Sequence, residues 1–123
     1  MNQVEPTSEV EALVAAACLL HDLSDPNRLA LLQHLALGEH RVIDLTDHLG
    51  LAQSTVSKHL ALLRDCGLVV SRPSGRASMF SLAHPEATAD ILRAAERLLE
   101  ATGEAVVLSA NFGPAALHSE EEW

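Results

Sequence analysis

Residues 42–60, reading VIDLTDHLGLAQSTVSKHL, constrain this chain more than any other part of it. Val42, Leu45 and Leu49 recur at helical spacing until Gly50 supplies a tight turn. Val56, Leu60 and Leu63 then form the buried stripe of a second helix, expected over 53–66. After Gly67 the apolar period changes from helical to extended. Residues 68–72 and 76–82 read as two strands around Pro73-Ser74-Gly75, a hairpin. A short helix, a glycine turn, a second helix and a hairpin therefore follow one another without interruption.

The flanks add helices. From Glu9, the positions Val10, Leu13, Val14, Ala17 and Leu20 predict a first helix to about residue 23. Asp25-Pro26 is a start signal, because aspartate caps and proline suits the first helical position. The second helix carries Leu29, Leu32 and Ala36, with Leu31 and Leu35 beside them, and Gly38 ends it. A last helix opens at His84-Pro85 and runs to about residue 102, with Ile91, Ala95 and Leu98 on one face and Leu92 and Leu99 beside it. The order is α-α-α-α-β-β-α: mainly α with a β-hairpin wing, a winged helix-turn-helix. The expected division is a flexible arm over 1–8, one domain over 9–102, and an acidic, partly disordered tail over 103–123.

Composition fits that plan. At 123 residues there is room for one core, and aromatics are only 2%, so Leu, Val, Ile and Ala must build it. The apolar run 14–20 is too short for a bilayer and ends at His21 and Asp22. Without a basic leader or cleavage site before it, a cytoplasmic protein with no membrane partner is expected. Cys18 and Cys66 do not make a secreted disulfide framework. The chain offers no nucleophile–base pairing, no phosphate loop and no complete metal triad, so an enzyme is not expected.

A net charge of −9 argues at first against a nucleic-acid partner, but the way it is distributed removes the objection. Residues 1–27 hold five acids and no base, and residues 83–123 hold eight acids against Arg93 and Arg97. Between them, Arg28, Arg41, Lys58, Arg64, Arg72 and Arg76 outnumber four acids. The bases gather where a DNA face would lie.

Gln53, Ser54, Thr55, Ser57 and Lys58 occupy the start and outer side of the second helix of the pair. Glutamine can pair with adenine, hydroxyls reach bases or phosphate, and lysine neutralises phosphate or reads guanine. The same pattern also suits an ordinary helical hairpin with a solvated face. Arg72 and Arg76, flanking the following turn, favour the DNA reading, since such a wing can reach the backbone or minor groove.

With those residues in view, the chain resembles the ArsR/SmtB family of bacterial winged-helix repressors. The resemblance lies in LSDPNRLALL at 23–32, Asp44-Leu45, LAQSTVSKHL at 51–60, LRDCGLV at 63–69, and Gly75-Arg76 with Phe80-Ser81-Leu82. It implies a homodimer built on the first and last helices, repression at a double-stranded DNA operator, and release by an effector. It also adds His59 to the DNA-facing set, as a packing residue or phosphate contact. Ala52 departs from the serine common at that turn.

Three effector sites known in the family can be compared. Arg41 and Ile43 stand where one would have thiolates, so that site is absent. A second, shared across the dimer axis, matches at His84, Glu86 and Glu100, but Arg97 replaces a needed ligand. The third, a thiolate site for cadmium or lead, keeps Cys66 and lacks both the earlier helix thiol and the tail thiol; Cys18 approaching Cys66 of the other subunit would give a two-thiolate site. A soft divalent ion such as Cd, Pb or Zn is thus one effector the chain admits. A redox or organic signal remains the alternative, as does a winged-helix module that binds protein.

Overall fold

The computed structural model describes residues 4–112, with side chains from Glu9 onward. Eight elements follow in chain order: α1 (Val4–Asp22), α2 (Pro26–Leu35), β1 (His40–Arg41), α3 (Val42–Leu49), α4 (Gln53–Asp65), β2 (Val69–Ser74), β3 (Ala77–Leu82) and α5 (Pro85–Ala101). The strands form one antiparallel sheet in the order β1-β3-β2.

Local chemistry sets the boundaries. Asp25 accepts from the N–H groups of Asn27 (2.7 Å) and Arg28 (3.2 Å), and Pro26 takes the first position of α2. Gly50 ends α3 at φ 68°, in the left-handed region that a glycine enters without a Cβ penalty. The hairpin turns on Gly75-Arg76 rather than on Pro73-Ser74-Gly75, because Ser74 still pairs with Ala77. Gly75, at φ 64°, stands where a two-residue hairpin needs a positive φ. Pro73 remains inside β2, opposite Ser78, which a proline tolerates because β2 is an edge strand.

Leu31, Leu32 and Leu35 of α2, Leu45 of α3, Val56, Leu60 and Leu63 of α4, Val69 of β2 and Phe80 of β3 form one buried cluster. The three α4 residues are fully covered, so its opposite face is held outward by the core itself. A smaller cluster joins Ala89 and Leu92 of α5 to Phe112.

Besides the hairpin turn, the structure departs from the sequence-based expectations in four places. The first helix begins at Val4, so the expected arm over 1–8 is helical from that residue; residues 1–3 lie outside the described ones. His40, expected in a loop, pairs with Phe80 as part of β1, a strand too short to show a period. Residues 103–112 are not a disordered tail. Phe112 is buried against α5, Glu96 accepts from the backbone N–H groups of Leu108 and Ser109, and Gln33 donates to the Leu108 carbonyl at 2.9 Å. The expectation for 113–123 lies outside the described residues. Lastly, Val10, Leu13, Val14 and Leu20 of α1 pack into no core in one protomer and stay more than half exposed.

Candidate nucleic-acid interface

Gln53, Ser54, Ser57 and Lys58 are exposed on α4, while Thr55 and His59 are half-buried. The first N–H groups of any helix lack partners within it, and Ala52 supplies no side-chain cap. The start of α4 therefore presents unpaired donors beside polar side chains, an arrangement that accepts phosphate oxygens. His59 points inward, its Nδ1 3.4 Å from Nη1 of Arg28, which makes it a packing contact.

The wing comes close to this helix. Gln53, Arg41 and Arg76 line one surface cleft of about 400 Å³, together with Ile43 and Ser78. Helix start and wing tip thus form one surface. Arg41, which the sequence shows only as one more base, is a member of it; its pair with Asp44 at 3.4 Å leaves the guanidinium about half exposed.

The six central bases are not equivalent. Arg28 is buried, donating from Nε to the Asp22 carbonyl (2.6 Å) and from Nη2 to the His21 carbonyl (3.1 Å), which closes the end of α1. It is an internal clamp and leaves the expected basic face. Arg72 places a fork on Glu39, with both contacts at 2.7 Å, and that hydrogen-bonded pairing holds the Glu39 carboxyl below the usual range. Arg72 is therefore largely neutralised on the flank of the hairpin. Arg64 reaches Ser71 at 3.5 Å. Among the described residues, Lys58 and Arg76 make no ion pair.

The candidate effector ligands are scattered within one protomer. Cys66 is exposed and donates weakly to the Leu63 carbonyl at 3.3 Å; burial of its surroundings, with Asp22 beside it, pushes the thiol up. Cys18 is exposed on α1. Glu86 and Glu100 stand about 21 Å apart along α5, from fourteen residues of helical rise, with His84 at the Glu86 end. Among the described residues of one protomer, no three His, Cys, Asp or Glu side chains are placed to hold a metal ion. Three histidines that look unrelated in the sequence do meet. His34 stacks on His48 with ring centroids 5.2 Å apart, and His40 meets His48 edge-on at 5.8 Å. They come from α2, β1 and α3, and no spacing in the sequence signals it.

This is the anatomy of a winged helix-turn-helix domain: α3 and α4 are the helix pair, and β2–β3 the wing. Residues 25–71 match the family model described as bacterial regulatory protein, arsR family. The chain is 40% identical over 76 residues to a probable mercury resistance operon repressor of Streptomyces lividans, covering 62% of this chain and 60% of that protein. It is 39% identical over 81 residues to the HTH-type transcriptional regulator NmtR of Mycobacterium tuberculosis, covering 66% and 68%. The match thus spans less than two thirds of the first relative and slightly more of the second. Among solved structures, it resembles the homodimeric winged helix-turn-helix DNA-binding domain Mb0332 of Mycobacterium bovis, with 26% identity, a TM-score of 0.66, and coverage of 75% and 84%. The chain belongs to the ArsR family. Among the described residues, no helix is long and apolar enough to cross a membrane.

Proposed function

We propose that the chain is a homodimeric, sequence-specific DNA-binding repressor that an effector releases from its operator. The observation that carries this reading is the single surface formed by the α4 start and the wing, with Gln53 and Arg76 lining one cleft. Gln53, Ser54, Thr55 and Ser57 supply base and phosphate contacts, and Lys58 and Arg76 supply charge. Relatives named as repressors support the same reading. The exposed apolar face of α1, with Leu98 of α5 also 69% exposed, supports a second copy as the cover; the homodimeric neighbour is consistent with it.

The test is binding of the protein to its own promoter and to random DNA across a salt series. Promoter affinity should exceed the random value by about 10³-fold or more and fall steeply with salt. Equal affinity for both DNAs overturns sequence-specific repression.

For the effector, a metal site at Cys66 requires Cys18 or another donor from the second protomer, and soft Cd or Pb is the ion it would take. The raised thiol argues against direct oxidation, because the thiolate is the reactive form. Release by Cd that is lost in Cys66→Ser supports the thiol site. Release that survives both Cys66→Ser and Cys18→Ser moves the site to His84, Glu86 and Glu100.

A further inference from the structure

Between α1, the entry to β2 and the first half of α5 lies a cavity of about 150 Å³. Leu19 of α1, Leu23 just after it, Leu68 and Ile91 give it an aliphatic wall, and exposed His84 and Ala87 sit at its rim. The site is partly open to solvent, and its volume and apolar walls have room for a single small ring, since an engineered apolar cavity of the same volume takes up benzene. Two polar side chains line it, exposed His84 at the rim and buried Thr88. Thr88 is only 3% exposed, and its Oγ1 is buried without a hydrogen-bond partner.

That hydroxyl is unusual for its setting. A threonine inside a helix ordinarily bonds back to the carbonyl four residues earlier. Here the Thr88 backbone N–H makes the usual helical bond to the His84 carbonyl at 3.0 Å, and Oγ1 has no partner among the described residues. Thr46 and Arg93 also hold an unpartnered buried atom, but neither lines this cavity. A buried hydroxyl costs stability until something bonds it, so an unmet donor beside an empty apolar space marks where a ligand's polar atom belongs.

We propose that this cavity binds a small, neutral, mostly apolar organic molecule with one hydroxyl or carbonyl group, about the size of phenol, one per protomer. The ring fills the space between Leu19, Leu23, Leu68 and Ile91, and the polar atom bonds Thr88 Oγ1. The cavity separates α1 from α5, the two helices whose exposed apolar residues form the proposed dimer contact. Occupancy therefore changes how the two α4 helices are spaced for DNA. This last step alone rests on the DNA-binding reading. By linkage, a ligand that weakens DNA binding is itself weakened by DNA to the same factor.

Phenol and benzene serve as probes, titrated into the full chain with amide shifts followed by NMR. Phenol should saturate at one per protomer, with shifts centred on Leu19, Leu23, Leu68, Thr88 and Ile91. Thr88→Val, which keeps the shape and removes the hydroxyl, should weaken phenol about fivefold and leave benzene unchanged. Ala87→Leu, at the exposed rim, should weaken both. Thr88→Val should also raise the melting temperature of the free protein, because it removes an unsatisfied buried group. Absence of saturation, shifts centred elsewhere, or an unchanged phenol-to-benzene ratio in Thr88→Val overturns the site. Promoter affinity measured with and without phenol separates the two readings. A protein that binds its promoter and not phenol overturns the cavity proposal alone. One that binds phenol and no DNA overturns the repressor reading alone. Phenol binding with unchanged promoter affinity overturns the coupling.

Discussion

Charge at Lys58 and Arg76 differs from charge at Arg72, although the sequence presents all three as exposed bases. Among the described residues Lys58 and Arg76 make no ion pair, which leaves them to neutralise phosphate, whereas Arg72 is already held by Glu39. Lys58→Ala and Arg76→Ala should each lower the salt dependence of promoter binding by about one phosphate contact per protomer, a slope change of roughly 0.9 for each protomer. Arg72→Ala should change that slope by clearly less; a full unit of change would show that Arg72 leaves Glu39 on DNA. Gln53→Ala should cost roughly 1–3 kcal/mol on the promoter and less on random DNA, since base readout is what it loses. Arg28 acts through the fold instead. Its planar fork reaches two carbonyls that a lysine ammonium cannot both reach in the same way, so Arg28→Lys should destabilise the protein by about 2 kcal/mol in denaturant melts.

At the scale of elements, the contact between α2 and α3 carries a pH dependence. Burial, reinforced by the neighbouring His48 and His40, holds His34 below its usual value of 6.5. The unfolded chain therefore binds the proton more readily than the folded one. The resulting loss of stability is absent above about pH 7, grows as pH falls through 6.5, and is complete below the folded value. Asp25, Glu39 and Asp44 are also held below their ordinary values, but they lose their stabilisation only in the acid range below about 4. Melting temperatures between pH 7.5 and 5 should consequently fall, and His34→Gln should flatten that fall; an equal slope in the variant would remove His34 as its source. In the docked segment after α5, the Leu108 and Ser109 N–H groups share one carboxylate, Glu96. Glu96→Gln weakens its bonds to the Leu108 and Ser109 N–H groups, and hydrogen exchange at those two amides should accelerate about tenfold, the equivalent of ~1.4 kcal/mol.

For the whole molecule, the exposed leucine and valine side chains of α1 and α5 leave an uncovered apolar face on the protomer. Leu98 is 69% exposed, so Leu98→Glu should leave the protomer folded while placing an unpaired charge in the proposed dimer contact. Sedimentation should show the dimer dissociation constant raised about 100-fold, and promoter binding should fall with it, because two half-sites must be engaged together. A native protein that sediments as a monomer at micromolar concentration would overturn the dimer.

The helix pair was legible in the sequence because its signals are local. The stripes at Val42, Leu45 and Leu49 and at Val56, Leu60 and Leu63, with Gly50 between them, state period and turn within about twenty residues, and α3 is found at the expected bounds. The polar residues opposite the α4 stripe are exposed by the same logic, since burying one face presents the other. What the sequence could not state depends on which residues meet across the fold. Arg28 is one base among six until the end of α1 comes within its reach, and Arg72 looks free until Glu39, 33 positions away, is seen 2.7 Å distant. The docking of 103–112 rests on Glu96, Gln33 and Phe112, whose sequence separations leave no periodic trace. Side-chain periodicity follows from the geometry of one helix or strand and is written in the chain. Pairing between elements follows from how those surfaces are brought together, and only the tertiary structure decides it.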